Sequence, residues 1–513
     1  MTISRLAPIA VLFTALALSS LRLWQFDYPP LVDWPNHLAR HAIQCGDAEW
    51  GRLGAYYNFD LRLVPNLTAD LIYALPVACY DILLTQKILI QFAILGLILS
   101  AFALHYAIWR QLSVWPGLAS LVALNMNFGY GFENFILAAP LAIALLALWV
   151  ALDRTQNWLR FVIIAPLAAF LYVCHLYAFV FFGAVLGAIE LQRAWANWRA
   201  GSSKTNAVLV RLGGAALVGI WPAYHALSNM AGGDSLNIAA TAYGGLISRL
   251  TALLSLSTYQ SFFLLEGVSR LDALFALLVL GLAPLVLRRL GGKFSFDCRF
   301  IWAAIACGLL YLLTPAILAS VHFTDIRFPL MGAVVLIAAS NMRLNRRLEA
   351  GLVVVLALSF ALRSEITAQR WVEHDAQVQE LLAAGEIFTP DDTLLVARFG
   401  VNELIIRHSH TMSYISMRSG AFLPTLFNGA NPLLPKPNLQ VRTTRSAFPV
   451  DYRRLFADMG SDGPESTWTY LGNWQQNYTH IVILHRPEDS LEDVTAFGER
   501  VHRGSFFDIY ALP

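Results

Sequence analysis

A short polar stretch after the first apolar run gathers side chains that can carry out acid–base chemistry. Residues 27–41 read DYPPLVDWPNHLARH and contain Asp33, His37 and Arg40 close together. A carboxylate can accept a proton from an attacking hydroxyl group. A nearby arginine can bind an anion or keep the carboxylate ionised. The stretch is therefore a candidate site for acid–base chemistry.

Pro35 predicts that a helix begins just after Asp33. Proline is favoured in the first turn of a helix, and aspartate is common at its start. In such a helix His37, Arg40 and His41 fall about one turn apart on roughly one face. Two interpretations remain open. Either Asp33 caps the helix and the basic residues face water or lipid headgroups, or the segment holds Asp33 as part of a positioned site.

The composition indicates a polytopic membrane protein. The chain has 513 residues, of which 57% are hydrophobic and only 14% are charged. Soluble chains usually have about a quarter of their residues charged. The net charge of +2 is too small to suggest binding to nucleic acid.

A helix needs roughly twenty apolar residues to span a membrane, and on this basis the sequence predicts about eleven transmembrane helices. The first is read as an uncleaved helix, with a cleaved signal peptide as the alternative. The predicted spans lie near residues 5–24, 86–108, 115–128, 135–152, 159–175, 177–192, 209–228, 270–287, 299–318, 328–342 and 346–362.

Lysine and arginine residues predict the orientation of these spans. They concentrate in one set of short loops, together with Arg5, which indicates a cytoplasmic N-terminus in the inner (plasma) membrane. The polar clusters fall on the opposite, extracytoplasmic side. These are the loop at 25–85, the turns at 128–134 and 174–177, the loop at 229–269 and the segment at 322–329.

Two domains are predicted. Residues 1–362 form the transmembrane domain, with its first extracytoplasmic loop at 25–85. Residues 363–513 are more charged and contain apolar runs of strand length at 393–398, 479–485 and 505–512, which predicts an extracytoplasmic α/β domain. The Pro-rich stretch at 422–438 is long for a structureless loop, and we expect it to cover a site.

The five cysteines predict neither a disulfide framework nor a structural zinc site. They are scattered, and neither a CxxC motif nor a Cys/His zinc spacing occurs. Asp33 and His37 are four residues apart, as in some helical metal pairs, but no second pair completes a set. A metal site is therefore possible but unsupported, and no cofactor is predicted.

The layout resembles the membrane glycosyltransferases of the GT-C fold. In that family the first extracytoplasmic loop carries an acidic residue near the membrane surface, and Asp33 matches it. The segment NLTADLIYALPVACYD (66–81) is similar to the interfacial helices that follow this acid. The closing pattern NWQQNYTHIVILH and RGSFFDIYAL resembles the tail domain of many bacterial members.

The resemblance implies transfer of a sugar from a polyprenyl-phosphate donor to a lipid, glycan or protein acceptor. Asp33 is the expected general base of an inverting displacement, with Asp27 or Glu133 as a second acid. The residues expected to contact substrate are His37, Arg40, Glu133, His175, His322, Asp325 and Arg327. For Arg327 the alternative is a structural contact with Asp325 or a lipid headgroup.

Three other functions remain open. A transporter or flippase of lipid-linked substrates is expected to carry ionisable residues in mid-span, whereas here they cluster at the outer ends of the spans. A non-catalytic scaffold could bind envelope partners through its outer domain. An enzyme that joins whole oligosaccharides could use the same residues as one that moves a single sugar.

Overall fold

The computed structural model shows a mostly helical chain with one larger sheet near its C-terminus. The structure describes residues 3–46, 51–154, 157–200, 205–231, 241–258, 267–318, 321–427, 432–436, 448–455, 469–489 and 498–513.

The α-helices of the described residues, in chain order, are α1 Ile3–Ser20, α2 Trp34–Cys45, α3 Thr68–Tyr73, α4 Pro76–Cys79, α5 Ile82–Trp109, α6 Met126–Gly129, α7 Glu133–Ala151, α8 Asn157–Cys174, α9 Leu176–Arg199, α10 Thr205–Ala231, α11 Leu246–Leu254, α12 Gly267–Arg289, α13 Ile301–Leu313, α14 Arg327–Ala339, α15 Arg346–Ala384, α16 Glu403–Arg407, α17 Met412–Ser419 and α18 Trp474–Asn477. The strands are β1 Tyr57–Phe59, β2 Lys293–Phe296, β3 Ile317–Leu318, β4 Val321–His322, β5 Ser340–Arg343, β6 Leu394–Arg398, β7 Leu433–Pro435, β8 Val450–Asp451, β9 His480–Leu484, β10 Glu499–Arg503 and β11 Phe507–Ala511.

Six helices within the described residues are long and apolar enough to cross a membrane, which indicates a membrane protein. They lie at Leu6–Gln25, Ile82–Trp109, Glu133–Ala151, Leu176–Arg199, Gly267–Arg289 and Arg346–Ile387. Four further apolar helices are shorter, and α14, with 13 residues, is only about 20 Å long. The predicted count of eleven spans is therefore not confirmed.

The predicted span at 115–128 illustrates the difference. Here the chain forms a 3₁₀ helix, Trp115–Val122, followed by the four-residue helix α6. The Asn125 side chain accepts hydrogen bonds from the backbone N–H groups of Asn127 and Phe128 and so caps α6. An apolar run broken by such a cap is too short to cross the hydrocarbon core.

The chain divides into two compact units. Unit 1 comprises Met1–Trp24, Pro65–Thr68 and Ile88–Thr367. Unit 2 comprises Gln25–Val64, Ala69–Lys87 and Ala368–Pro513. The last segment of unit 2 begins at Ala368, close to the predicted domain boundary at 362/363. The grouping nevertheless differs from the prediction, because most of the 25–85 loop packs with the C-terminal residues.

A five-stranded sheet forms the core of unit 2, with the order β10-β11-β9-β6-β8. The pairs β6–β9 and β6–β8 are parallel, whereas β11 pairs antiparallel with both β9 and β10. Strands β6, β9 and β11 are almost entirely buried, as expected for short, continuous apolar runs. The three strands predicted in this region and the sheet-containing C-terminal domain are therefore confirmed.

The cysteine prediction was wrong in one respect, because Cys45 and Cys79 form a disulfide with Cα atoms 5.4 Å apart. The bond joins the last residue of α2 to the last residue of α4. The 34-residue separation carries no motif, and only the fold brings the two cysteines together. No zinc-type cluster occurs among the described residues.

Candidate functional site

Asp33 precedes helix α2 in unit 2, and its carboxylate does not cap the helix. The helix begins at Trp34, one residue before the predicted start. The backbone of Asp33 is already helical, with φ −82° and ψ −12°, and its side chain makes no capping hydrogen bond. A capping residue normally has an extended backbone that aims its side chain at the next N–H groups. The capping interpretation of Asp33 is therefore wrong.

His410 faces the Asp33 carboxylate. Its Nε2 atom lies 3.4 Å from Asp33 Oδ1, and the side-chain exposures are 1% for His410 and 18% for Asp33. Among the described residues, Asp33 Oδ2 has no hydrogen-bond partner. One oxygen of the carboxylate thus faces a buried imidazole, and the other is available to a ligand.

Asn36, on the first turn of α2, connects this pair to the rest of the site. Its Nδ2 lies 3.0 Å from His410 Nδ1 and 3.2 Å from the carbonyl oxygen of Thr425. Its Oδ1 accepts hydrogen bonds from Ser413 Oγ at 3.3 Å and from the backbone N–H of Phe427 at 3.2 Å. All hydrogen-bonding positions of this buried amide are therefore used, as is required of a buried polar group.

Phenylalanine rings pack against His37 and His410. The Phe427 ring lies 5.0 Å from the His37 ring and 5.4 Å from the His410 ring, and Phe448 lies 5.0 Å from His410. Phe448 is 43% exposed. The described residues 422–427 of the Pro-rich stretch thus pack over the start of α2, as expected for a covering segment. The stretch's residues 428–431 and 437–438 lie outside the described ones.

His37 lies on the first turn of α2, where its backbone N–H donates to the backbone oxygen of Asp33, and its surroundings disfavour the protonated ring. Burial, followed by the positive charge of Arg40, lowers its pKa well below the ordinary value. His37 therefore adds no full positive charge to the site. We call Asp33, Asn36, His37 and His410 the carboxylate site.

Arg40 is paired within the fold. It forms a fully buried ion pair with Asp70, with Nε 3.0 Å from Oδ1 and Nη2 3.1 Å from Oδ2. Gln44 donates a hydrogen bond to the backbone oxygen of Asp70, and His41 stacks on Tyr73 with ring centres 4.1 Å apart. This face of α2 fastens the helix to α3, so we remove Arg40 from the proposed substrate contacts.

Asp27, one candidate for a second acid, is an exposed ion-pair partner. Its carboxylate lies 2.7 Å from Lys87 Nζ, and its side chain is 52% exposed. A carboxylate so placed has little of the environment that shifts reactivity.

In unit 1, Arg327 lies among aromatic rings at the start of α14. Its guanidinium carbon is 4.6 Å from the ring centre of Tyr177, 4.9 Å from that of Phe132 and 5.8 Å from that of Phe135. Arg327 is 7% exposed. Aromatic faces attract a guanidinium through their negative quadrupole.

His175 lies beside this guanidinium. It precedes α9, where its Nδ1 accepts a hydrogen bond from the backbone N–H of Tyr177 at 3.2 Å. Its ring meets Phe135 edge-on at 5.2 Å. We call Arg327, Phe132, Phe135, His175 and Tyr177 the arginine site; the sequence analysis predicted its arginine and its histidine.

Glu133 is the first residue of α7 and is 1% exposed. It follows Gly131, whose φ of +68° allows the tight turn into the helix. A carboxylate at a helix N-terminus is favoured by the helix dipole. The position directly follows Phe132, one of the rings around Arg327.

Asp325 and His322 do not join the arginine site. Asp325 accepts a hydrogen bond from Ser248 Oγ at 3.2 Å, and Arg249 is the cation that acts on it. His322 lies on the exposed strand β4. The alternative of an Asp325–Arg327 ion pair does not occur.

The sequence analysis missed Asn36 and His410. Asn36 stood inside the quoted stretch but was not singled out, because asparagine is common at helix starts. His410 belongs to RHSHTMSYISMRS (407–419), most of which is buried although much of it is polar. A polar run between apolar strands was the available signal.

The described residues contain no group of three or more histidine, cysteine or acidic side chains that could hold a metal ion. Comparisons of the chain with protein families, with curated proteins and with solved structures gave no match.

Proposed function

We propose that the chain is an inner-membrane glycosyltransferase that moves a sugar from a polyprenyl-phosphate donor to an envelope acceptor. The observation that carries the proposal is the environment of the Asp33 carboxylate. It does not cap helix α2, one of its oxygens faces buried His410, and the other is accessible to a ligand. A general base needs this combination of fixed position and access.

The proposed reaction is a single displacement. The acceptor hydroxyl oxygen attacks the anomeric carbon and forms the new C–O bond, while the bond from that carbon to the donor phosphate oxygen breaks. The hydroxyl proton passes to Asp33, and the phosphate leaves with the electron pair. Attack opposite the leaving group inverts the anomeric centre.

The phenylalanine rings packed against His37 and His410 favour a sugar as the ligand. Phe448 is partly exposed, and Phe427 packs beside His37. The C–H face of a pyranose carries a small positive charge and packs on the negative face of an aromatic ring. We also propose His37, whose ring packs against Phe427, as a contact of the sugar.

For unit 1 by itself, we also propose that the arginine site binds a phosphate group. A guanidinium binds phosphate through two parallel hydrogen bonds, and the stacked rings around Arg327 restrict its orientation in advance. His175 is a second candidate donor there. We propose no substrate contact for Arg40 or for the exposed His322.

The disulfide supports an extracytoplasmic position for the carboxylate site. Disulfides persist in oxidising compartments and are rare in the cytosol. Cys45 ends the helix that Asp33 precedes. With the basic loops on the cytoplasmic side, we propose that the N-terminus is cytoplasmic and that unit 2 is periplasmic.

The test is transfer of labelled sugar by purified protein in nanodiscs, with polyprenyl-phosphate-linked donors extracted from native-host membranes. For Asp33→Asn we expect turnover to fall by about 10²–10⁴-fold, the usual contribution of a general base. Asp27→Asn is the matched control, because that carboxylate is exposed and paired with Lys87. Glu133→Gln tests for a second acid.

Full activity of Asp33→Asn would remove the base from the proposal. A wild-type protein that transfers no sugar from any donor offered, but moves lipid-linked donors across vesicles, would favour the flippase.

A further inference from the structure

The orientation of the Asn36 amide is fixed by two partners whose roles are unambiguous. The backbone N–H of Phe427 can only donate, and it lies 3.2 Å from Oδ1. The carbonyl oxygen of Thr425 can only accept, and it lies 3.2 Å from Nδ2. Both contacts require the same orientation, so the atom of Asn36 that faces His410 is the NH₂ group.

This orientation determines where the His410 ring carries its proton. Asn36 Nδ2 lies 3.0 Å from His410 Nδ1, and because the amide nitrogen is a donor, Nδ1 must accept. A neutral imidazole that accepts at Nδ1 carries its hydrogen on Nε2. Nε2 lies 3.4 Å from Asp33 Oδ1 without forming a hydrogen bond to it, so the Nε2–H group is close to the carboxylate.

We infer that Asn36 fixes His410 as the Nε2–H tautomer, and that His410 is a positioning residue that holds Asp33 Oδ1 while Oδ2 receives the acceptor's proton. The reaction in this statement rests on the proposed function, whereas the tautomer rests on the hydrogen bonds alone. The distance of 3.4 Å is longer than a strong charge-assisted hydrogen bond, and such contacts often shorten when substrate binds.

The arrangement also excludes a proton relay through His410. A relay requires a free lone pair on the ring nitrogen that faces the carboxylate, and here that nitrogen already carries hydrogen. The other nitrogen accepts from Asn36. The proton taken from the acceptor therefore stays on Asp33 until it is released to solvent. The titratable groups beside His410 are Asp33 and His37, and His37 is neutral.

The first test reads the tautomer directly. Protein labelled with ¹⁵N-histidine in nanodiscs gives long-range ¹H–¹⁵N correlations, and the His410 signals are those lost in His410→Gln. We expect a protonated Nε2 and an unprotonated Nδ1 in the wild type. In Asn36→Asp a carboxylate replaces the donor, so we expect the hydrogen to move to Nδ1. A protonated Nδ1 in the wild type would overturn the inference.

The second test compares two substitutions of His410 that differ in where they place an amide nitrogen. The nitrogen of Gln replaces Nε2 and still faces Asp33, whereas that of Asn replaces Nδ1 and does not reach it. We expect His410→Gln to retain kcat within about tenfold and His410→Asn to lose about 100-fold, as for a misplaced catalytic group. Equal kcat losses in the two variants would overturn the positioning role.

The two tests separate the inference from the proposed function. A wild type that has the Nε2–H tautomer but transfers no sugar would support the tautomer assignment and contradict the glycosyltransferase. Thermal unfolding of each variant identifies any that fail to fold, and His410→Gln is the variant that changes the hydrogen bonding least.

Discussion

Two buried arginines, one in each unit, entered the site prediction for the same reason and have different surroundings. Arg40 is 1% exposed and forms an ion pair with the fully buried Asp70. Arg327 is 7% exposed and lies against the rings of Phe132 and Tyr177. A carboxylate takes up the hydrogen-bonding edge of a guanidinium, whereas rings take up its faces. Burial of an arginine therefore says little about its role until its partners are known.

The same distinction applies to the carboxylates. Asp70 is held by Arg40 on both oxygens, which makes it part of the scaffold. Asp33 meets His410 with one oxygen only. A charged group whose hydrogen-bonding positions are all filled stabilises the fold, and one with an open position near solvent can bind or react.

The largest effect is expected from Arg40→Ala. It leaves Asp70 as a buried, uncompensated charge, which typically destabilises a protein by about 3–5 kcal/mol. We expect a large fall in the thermal unfolding temperature, with sugar transfer lost only as far as folding is lost. The double variant Arg40→Met/Asp70→Leu removes both charges and should recover most of the stability. An Arg40→Met/Asp70→Leu variant that is stable but inactive would return Arg40 to the substrate contacts.

Arg327→Met should affect activity more than stability. Loss of a preorganised cationic donor at a leaving group typically reduces turnover by about 10²–10³-fold. Arg327→Lys keeps the charge but loses the planar, stacked group, so we expect an intermediate kcat/KM. Arg299→Met is the control, because Arg299 is 43% exposed and paired with Asp297. If Arg327→Met lowers the unfolding temperature and leaves kcat/KM unchanged, the arginine site is structural.

The next largest effect is expected from removal of the Cys45–Cys79 disulfide. In the double variant Cys45→Ser/Cys79→Ser, closure of a loop with a sequence separation of 34 residues is lost. Such a bond stabilises by about 2–4 kcal/mol. Helix α2 remains fastened by Arg40 and Asn36, so we expect lower stability with kcat within about threefold. A kcat that falls together with stability would mean that the disulfide also positions Asp33.

The parts of the structure that are local in sequence could be predicted from it. Pro35 predicted the start of α2 to within one residue. Short apolar runs predicted strands β6, β9 and β11. The six long apolar helices followed from hydropathy. The count of eleven spans is not confirmed, and at 115–128 hydropathy did not detect the side-chain cap of Asn125.

The partners of the site could not be predicted, because they come from distant parts of the chain. Asn36 and His410 are 374 residues apart, and Asn36 and Phe427 are 391 apart. Nothing in residues 27–41 indicates that Arg40 pairs with Asp70 and that Asp33 does not cap its own helix. Those outcomes depend on tertiary packing, which also joined the first loop to the C-terminal residues.

The smallest effect is expected from pH acting on the sheet of unit 2. Burial disfavours the charged forms, but the pair is 3.3 Å apart, and the balance lowers the pKa of Asp508 and raises that of His485. The Asp508 contribution is present above pH about 4 and is lost as pH falls through its lowered pKa. The His485 contribution is present below pH about 6.5 and is lost as pH rises through its raised pKa. Unfolding temperatures measured across this range should therefore be highest between the two limits, and Asp508→Asn should flatten both flanks while leaving sugar transfer intact. A wild-type profile identical to that of Asp508→Asn would show that this pair, unlike the Arg40–Asp70 pair, adds nothing to stability.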